Sequence, residues 1–390
     1  MDRIRQWLAH EAAGGVVLML AAVVAIVLAN SPAKVWVDAV LGAELAVTLN
    51  GNGISQSVLL WVNDGLMAIF FFLIGLELKF ELVAGRLKQP SAVILPGVAA
   101  LGGMAVPALV YAGVITIGRG DANLMQGWAI PTATDIAFAL GVLALVGRGL
   151  PPSLKIFLLT LAILDDLGAI LVIAIFYGHG LRPVWLVEAL LPLAGMVALM
   201  LLRVRSMGPS IFLAIVLWAM ILASGIHATV AGVIAAFCIP LKDRGGGSPL
   251  HKMEQALGPY VTFLIVPIFA LANAGLVMPG LSALAHPLSL AIGAGMVFGK
   301  PLGVMTAVWL LGRFGIARPP EGASLTQVWG IACLAGVGFT MSLFIGGLAF
   351  GDGDEMNNVR IGVLVGSLVS AVLGGVLLRL PSGKSAPKPL

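Results

Sequence analysis

Two adjacent carboxylates, Asp165 and Asp166, lie in the middle of residues 157–176, FLLTLAILDDLGAILVIAIF, which carry no other charge. Each ionised side chain at the centre of a membrane helix costs about 2.5 to 3.5 kcal/mol on insertion scales, so charges persist there where they bind something or face a wet cavity. The apolar flanks are each too short to cross a bilayer, which excludes a loop between two helices. Because adjacent acids repel, at least one needs a cation or a proton. The alternative is a structural pairing with a buried cation.

A third acid, Asp135, lies in WAIPTATDIAFALG, residues 128–141. Pro131 removes one backbone hydrogen bond and clashes with the preceding turn, so we predict that the helix breaks here. An acid is electrostatically favourable near the N-terminus of a half-helix, and Thr134 adds a hydroxyl oxygen beside it. The alternative is a tolerated kink with Asp135 lining water.

The balancing cation is Lys300, near the middle of AIGAGMVFGKPLGVMTAVWL, residues 291–310. The string is similar to a phosphate-binding loop, but Ala294 occupies the position of its first glycine and Pro301 that of the magnesium-binding Ser or Thr. Transport driven by ATP is therefore disfavoured. The alternative for Lys300 is a side chain that extends to the membrane surface.

Weak helix formers recur at the centre of a later apolar run, CLAGVGFTMSLFIGG, residues 333–347. Gly336, Gly338 and Thr340 make it the counterpart of the segment around Asp135. Two interrupted hydrophobic segments, one in each half, point to the binding site of a transporter. Close helix packing through glycine is the alternative for this segment.

Carboxylates, a threonine hydroxyl and unwound carbonyls are the oxygen ligands that a hard cation such as sodium or lithium takes. Burial makes the charged form of a carboxylate costly, so protons and metal ions compete for the same oxygens. A site that opens to one side at a time and holds either species exchanges one for the other. If one monovalent cation expels more than one proton, the cycle moves net charge across the membrane.

The composition predicts a membrane protein around these residues. Of 390 residues, 59% are hydrophobic and 10% charged, and the mean hydropathy is +1.06. Lipid offers no hydrogen-bond partners, and the long apolar runs favour helices over the alternating strands of a barrel. About twelve segments approach the ~20 residues of a spanning helix. They are 11–30, 58–78, 91–115, 121–145, 154–177, 184–202, 208–222, 224–240, 256–276, 288–311, 326–349 and 359–380.

Basic residues predict the orientation of these spans. Of the 22 Lys and Arg residues, 17 lie on the side of the N-terminus and 4 on the other, with Lys300 inside the membrane. We therefore expect both termini in the cytoplasm and an even number of spans. The basic residues are topology signals, so we expect no nucleic-acid partner.

Short loops predict a single membrane transport domain over residues 1–390. In AELAVTLNGNGISQSVLL, an Asn-Gly turn flanked by alternating residues predicts an external hairpin at about 43–58 that offers an edge to a second copy of the chain. A plain loop is the alternative.

Together, WAIPTATDIAFALG, LAILDDLGAI, SGIHATVAGV, FALANAG, GKPLG and GVGFTMSLFI resemble the NhaA-type bacterial sodium/proton antiporters over nearly the whole chain. The resemblance implies an all-α polytopic protein of the bacterial inner membrane with twelve helices. It also implies inverted repeats of helices 3–5 (about 91–177) and 10–12 (about 288–380), crossing interrupted helices 4 and 11, and a homodimer formed through the hairpin.

The resemblance also implies roles for the residues identified above. Asp166 would be the primary ligand of the transported sodium ion, with Asp165 and Thr134 beside it, and Asp165 would pair with Lys300. Asp135 would offset the positive ends of the half-helices. Sodium, lithium and protons would be the transported species, with no cofactor.

Regulation by pH is a further implication, through a cytoplasmic cluster that the sequence supplies with Glu77, Lys79, Glu81, His251, Lys252 and Glu254. Phe80, Gln255 and Gly258 depart from the family pattern, so the pH profile is open. Ordinary topology charges are the alternative reading of the cluster. His227, near the external end of its helix, is a further candidate, with a packing histidine as the alternative.

Two other functions fit parts of the pattern. A sodium-coupled symporter of an organic solute can use a similar design, and Lys300 with the Asp165–Asp166 pair distinguishes it. An intramembrane aspartyl protease would carry GDGD, residues 351–354, but this string lies in a predicted external loop and no Tyr is followed by Asp. We therefore expect a transporter and not an enzyme.

Overall fold

The computed structural model describes residues 12–49, 52–118, 120–147, 149–178, 180–204, 206–243, 245–277, 284–351 and 353–380. These ranges are mainly helical, as the long apolar segments predict. The helices are α1 Ala12–Ala29, α2 Lys34–Gly42, α3 Val58–Val83, α4 Pro90–Ile117, α5 Ile136–Val146, α6 Pro152–Phe176, α7 Pro183–Leu201, α8 Gly208–Ser224, α9 Ala228–Phe237, α10 Pro249–Asn273, α11 Pro287–Arg313, α12 Leu325–Ala335, α13 Phe339–Phe350 and α14 Glu355–Arg379. A 3₁₀ helix, Ala122–Thr132, precedes α5.

The described helices have the length and composition of a polytopic membrane protein. Eight spans are long and apolar enough to cross a membrane, α12 and α13 counting together as one, and two bent helix pairs raise the number to 10. One pair is α1 with α2, bent by 108°, and the other is the 3₁₀ helix with α5, bent by 47°. The remaining predicted segments correspond to the shorter helices α8 and α9. The predicted all-α polytopic fold class is confirmed, whereas the number of crossings stays a prediction.

Three of the helices contain a wide π-helical turn, at Trp61–Leu66, Val261–Ile265 and Gly295–Gly299. The second and third turns each lie just before an interior proline, Pro267 or Pro301. A proline ring clashes with the carbonyl four residues earlier, and a π turn inserts an extra residue at that place. The proline is therefore accommodated within a continuous helix.

The chain divides into two compact units. The first unit comprises Met1–Ile26, Gln89–Ala169 and Asn273–Leu390. Its core is made of small and branched apolar side chains from α4, α5, α6, α11, α12 and α14, among them Ala99, Leu161, Val304 and Ile331. This unit contains the residues around both predicted helix breaks.

The second unit comprises Val27–Lys88 and Ile170–Ala272. Leu76 of α3, Met196 of α7, Leu217 of α8, Ala235 of α9 and Leu250 of α10 contribute to its core. Its helices pack closely through small residues, as is common in membranes. A Cβ on Gly75, for example, would lie 2.7 Å from the Cβ of Ala236.

A two-stranded antiparallel hairpin belongs to the second unit. Its strands are β1 Glu44–Leu49 and β2 Asn52–Ser57, with Glu44 opposite Ser57. This is the segment in which the sequence predicts a hairpin, although the Asn-Gly turn itself, residues 50–51, lies outside the described residues. The indole Nε1 of Trp61 donates to the carbonyl of Leu45 at 2.9 Å, which ties the hairpin to α3.

Candidate ion-binding site

Helix α6 carries the two adjacent acids in the interior of the first unit. Asp165 and Asp166 are each 1% exposed. Leu, Ile and Ala residues on both sides favour the helix and provide its apolar surface. Consecutive residues of an α-helix point about 100° apart around the axis. The two carboxylates therefore leave α6 in different directions.

Lys300 of α11 lies against the first of these acids and has no exposed surface. Its Nζ lies 2.5 Å from Oδ2 of Asp165 and also donates to the carbonyl of Thr132, the last residue of the 3₁₀ helix. The ammonium thus balances one carboxylate and the negative end of a helix dipole. It also interacts electrostatically with Asp166. The side chain does not extend to the surface of the protein, which removes the alternative left open by the sequence.

Glycines bring α11 close enough to its neighbours for Lys300 to reach this position. A Cβ on Gly299 would lie 2.5 Å from Cα of Pro107 in α4, and a Cβ on Gly303 would meet the carbonyl of Gly102 in the same helix. Side chains larger than hydrogen would therefore push α11 and α4 apart. The position of Lys300 depends on this close backbone contact.

Thr134 connects Asp165 to both chain interruptions. Its hydroxyl lies 2.7 Å from Oδ2 of Asp165 and 2.8 Å from the carbonyl of Ala335, the last residue of α12. A hydroxyl has one proton to donate and two lone pairs to offer. Thr134 can therefore donate to one of these oxygens while it offers an oxygen of its own to a cation.

Asp135 caps the N-termini of two helices at once. Its Oδ1 accepts from the N–H of Phe138 at 2.9 Å, and its Oδ2 accepts from the N–H of Thr340 at 3.1 Å and from the Thr340 hydroxyl at 2.5 Å. Phe138 lies in the first turn of α5 and Thr340 in that of α13. One carboxylate therefore balances the positive ends of both half-helices, where the sequence predicts an acid.

The two interruptions lie against each other. The N–H of Asp135 donates to the carbonyl of Val337 at 2.7 Å, and the Ser342 hydroxyl donates to the carbonyl of Ile130 at 2.7 Å. The first contact satisfies a carbonyl of the α12–α13 break that has no helical partner. In addition, Oγ of Ser367 on α14 accepts from the N–H of Phe339 at 3.1 Å. Backbone groups freed by each break are thus satisfied within the protein, as a buried break requires.

The oxygens of this site fit a hard monovalent cation. Around Asp165 lie a second carboxylate on the next residue, the Thr134 hydroxyl and the carbonyls of Thr132 and Ala335. Oδ1 of Asp165 is buried and makes no hydrogen bond to the described chain. A buried carboxylate oxygen left in this way favours a proton or a cation as its partner. The arrangement is thus suited to hold either species.

Of the predicted regulatory residues, Glu77 and Glu81 lie on α3 and Glu254 on α10, all within the second unit. Glu77 interacts electrostatically with both other acids. The structure therefore brings these three carboxyl groups near one another, at the end of α3 that precedes residue 84.

His251 joins the same group of acids. Its Nδ1 lies 3.2 Å from Oε2 of Glu254, and its ring stacks on that of Phe80 with the centroids 6.3 Å apart. Lys252 is exposed and lines an apolar groove. His227 is not part of this group. It precedes α9, and its Nδ1 lies 3.9 Å from Oδ1 of Asp64 on α3.

Two buried polar residues of the apolar segments, Asp64 and Ser367, were not predicted from the sequence. Asp64 lies within a predicted span and is 8% exposed, and the rule that identified Asp165 applies to it equally. Lys79, which the sequence places in the cytoplasmic cluster, is buried instead of exposed. Its Nζ donates to the carbonyls of Phe237 at 2.7 Å and Ile239 at 2.6 Å, at the C-terminal end of α9. Nothing in the sequence signals Ser367 as a cap, because its partner is 28 residues away.

Buried acids and a buried lysine at the meeting point of two interrupted helices define a secondary ion transporter of the membrane. The sequence model of a protein family described as Na+/H+ antiporter 1 matches residues 5–378. The chain belongs to this family. The family predicted from the motifs is therefore confirmed.

Curated relatives agree with this assignment over nearly their whole length. The chain is 49% identical to Na(+)/H(+) antiporter NhaA 2 of Erythrobacter litoralis, with 98% of this chain and 96% of the relative covered. It is 50% identical to Na(+)/H(+) antiporter NhaA of Bordetella parapertussis, covering 97% and 96%, and 44% identical to the protein of the same name from Actinobacillus pleuropneumoniae serotype 3, covering 100% and 99%.

Proposed function

We propose that this chain exchanges sodium, and also lithium, for protons across the bacterial inner membrane. The observation that carries the proposal is the buried arrangement of Asp165, Lys300 and Thr134, with Oδ1 of Asp165 directed to no protein donor among the described residues. The family assignment supports antiport, and the relatives are named as antiporters and not as symporters or enzymes.

Exchange follows from competition for the same oxygens. A sodium ion that binds between Asp166 and Asp165 is coordinated by the Asp165 carboxylate, which Lys300 already neutralises. Two positive charges next to one carboxylate repel, so binding of the metal ion favours loss of protons from the site. When the site faces the other side, protons return and the metal ion leaves. A cycle that expels more than one proton per cation is electrogenic.

Each site residue has a proposed role in this cycle. Asp166 is the primary cation ligand, Asp165 is shared between the cation and Lys300, and Thr134 adds a neutral oxygen. Asp135 holds the two half-helices together and balances their dipoles. Its carboxylate is fully used in capping, so we assign it no direct contact with the ion.

The proposal also covers the orientation of the chain in the membrane, its dimerisation and its regulation by pH. The excess of basic residues on one side supports cytoplasmic N- and C-termini, and the exposed hairpin supports a homodimer in which two copies pair through β1 and β2. The acids Glu77, Glu81 and Glu254, with His251 and Lys252, form the proposed pH-responsive group at the cytoplasmic side. His227 is a separate candidate beside Asp64.

Vesicles that contain the purified protein test the proposal. With a pH gradient imposed, acid inside, addition of sodium should release protons from the vesicle interior, measured with a pH-sensitive dye, and Asp166→Asn should abolish the response. Glu188→Gln is the matched control, because it removes one acid from an exposed position of α7 and should leave the response unchanged. A sodium response that survives Asp166→Asn contradicts the site assignment.

A further inference from the structure

Helix α2, Lys34–Gly42, has the sequence KVWVDAVLG. At about 100° per residue, Lys34 and Asp38 lie roughly 40° apart on one side, and Trp36 lies opposite to them. Lys34 and Asp38 form an ion pair between positions i and i+4. Val37 and Leu41 are partly buried and lie next to this pair, Leu41 only about 20° from Lys34 around the axis.

The side around Trp36 is apolar and exposed. Val35 is 73% exposed, Trp36 77% and Val40 61%, and no residue of α2 is buried. An exposed indole between two exposed valines is costly in water. The protein itself does not cover this surface within the described part of the chain.

Helix α2 lies in the sequence between two apolar helices, α1 with 18 residues and α3, which is long and apolar enough to cross a membrane. Helix α1 precedes it at a bend of 108°, which is 18° from a right angle. With an average tilt of about 20° for a spanning helix, α2 would lie within roughly 40° of the membrane plane. After α2, the N–H of Val58 at the start of α3 donates to the carbonyl of Ala43 at 2.9 Å. The end of α2 is therefore held at the level where the next span begins.

We propose that α2 is an interfacial helix that lies along the membrane surface. Its apolar side, Val35, Trp36 and Val40, inserts at the boundary between lipid headgroups and acyl chains, and the Lys34–Asp38 pair faces water. Tryptophan is enriched at this boundary because one part of its ring is apolar and its N–H is polar. The partner is the phospholipid bilayer itself, and the inference is independent of the ion-exchange mechanism.

Because α2 is connected to apolar helices on both sides, lipid is a better candidate than a second copy of the chain to cover its apolar side. A helix fixed between two spans meets the bilayer surface in every protomer, whether or not protomers associate. The polar pair also lies on the side opposite to Trp36, as a lipid–water boundary requires. A second copy packed against Trp36 remains an outcome that the experiment distinguishes.

Spin labels on the full-length protein test the inference. Val35→Cys, Trp36→Cys and Val40→Cys place the label on the apolar side, and Asp38→Cys is the matched control on the same helix. The background carries Cys238→Ser and Cys333→Ser. The protein is reconstituted in vesicles of phosphatidylethanolamine and phosphatidylglycerol, and relaxation of each label by oxygen and by a water-soluble nickel chelate is measured.

We expect oxygen to relax the labels at positions 35, 36 and 40 several-fold more effectively than the nickel chelate, and the reverse at position 38. Preferential relaxation by the nickel chelate at all four positions overturns the inference, because α2 would then lie in water. Exclusion of both agents from position 36, together with dipolar broadening between labels, also overturns it and identifies a second copy as the occupant.

A second measurement uses the native cysteines and covers the case in which the double serine background fails to fold. Fluorescence quenching by lipids brominated near the headgroup is compared between the unmodified chain and Trp36→Phe. The difference between the two isolates the contribution of Trp36. We expect lipids brominated near the headgroup to quench the fluorescence of Trp36 strongly. The absence of such quenching overturns the inference.

Discussion

At the residue scale, the two oxygens of Asp165 have different environments. Oδ2 accepts from Lys300 and lies within hydrogen-bond distance of Thr134, whereas Oδ1 is buried and makes no hydrogen bond to the described chain. The carboxylate is thus held in place by one oxygen and left available by the other. In the proposed exchange, Oδ1 would serve an incoming cation as a fixed ligand that needs little reorganisation.

Lys300→Ala should lower the stability of the protein. The substitution leaves Asp165 as a buried charge without its ammonium partner and removes the donor to the Thr132 carbonyl, and breaking a buried pair in this way costs about 3 to 5 kcal/mol. We expect Tm in detergent to fall by several degrees. Adding Asp165→Asn to Lys300→Ala should restore part of the loss, because the uncompensated charge is then removed. An unchanged Tm for the single variant would contradict the pairing.

Thr134→Val should weaken sodium binding while preserving the fold. Valine has nearly the same shape as threonine but no oxygen, so the cation loses one ligand and Asp165 loses one donor. An increase of about tenfold in the sodium concentration for half-maximal exchange corresponds to roughly 1.4 kcal/mol, the size of one lost hydrogen bond or ligand. Thr134→Ser keeps the oxygen and serves as the control. Equal affinities for Val and Ser would show that the hydroxyl does not contact the ion.

Charge inside apolar segments was sufficient to predict the candidate residues Asp165, Asp166, Asp135 and Lys300 from the sequence. Their partners were harder to predict. Thr340 donates to the carboxylate of Asp135 across 205 residues of chain, and the Thr134 hydroxyl donates to the carbonyl of Ala335 across 201 residues. Contacts at such separations depend on packing, which local composition does not specify. The roles of the site residues in transport stay predictions.

At the element scale, Pro131 predicts the break before α5, and Gly336 and Gly338 predict that before α13. The 3₁₀ form of Ala122–Thr132 was not predicted, and neither were the π turns. Each of these features depends on how the backbone packs against a neighbouring helix, which the local sequence does not specify. A Cβ on Gly295, for example, would lie 2.7 Å from Cβ of Pro131, so the π turn of α11 packs directly on the first break.

Gly303→Ala should disturb the site through the helix that carries Lys300. The added methyl group would meet the carbonyl of Gly102 and force α11 away from α4, one turn beyond Lys300. We expect a loss of about 1 to 3 kcal/mol in stability, as for overpacking of a core, together with reduced exchange activity. Both are measured on purified protein, by thermal unfolding and in vesicles.

Gly312→Ala is the matched control for this substitution. It lies in the same helix, and a Cβ there would meet no atom within 4 Å. Alanine has the higher helix propensity, so we expect unchanged activity and equal or slightly higher stability. Equal behaviour of the two variants would show that close contact between α11 and α4 does not matter.

At the scale of the whole molecule, composition alone establishes a membrane protein, and the apolar segments coincide with helices. The lengths of the helices do not establish how many times the chain crosses the membrane, because α8 and α9 are shorter than a typical span and two helix pairs are bent. The asymmetry of basic residues gives an orientation for the whole chain, which stays a prediction. Composition also gave no sign of the division into two compact units.

The central claim is that sodium and protons compete for the same buried carboxylates. Isothermal titration calorimetry of sodium binding to the purified protein, in buffers of equal pH and different ionisation enthalpy, tests this claim most directly. Released protons are taken up by the buffer, so we predict that the observed heat varies linearly with the ionisation enthalpy, with a slope that gives the number of protons released per sodium ion. Asp166→Asn should abolish the binding heat. Sodium binding with a heat that is the same in every buffer would contradict the account.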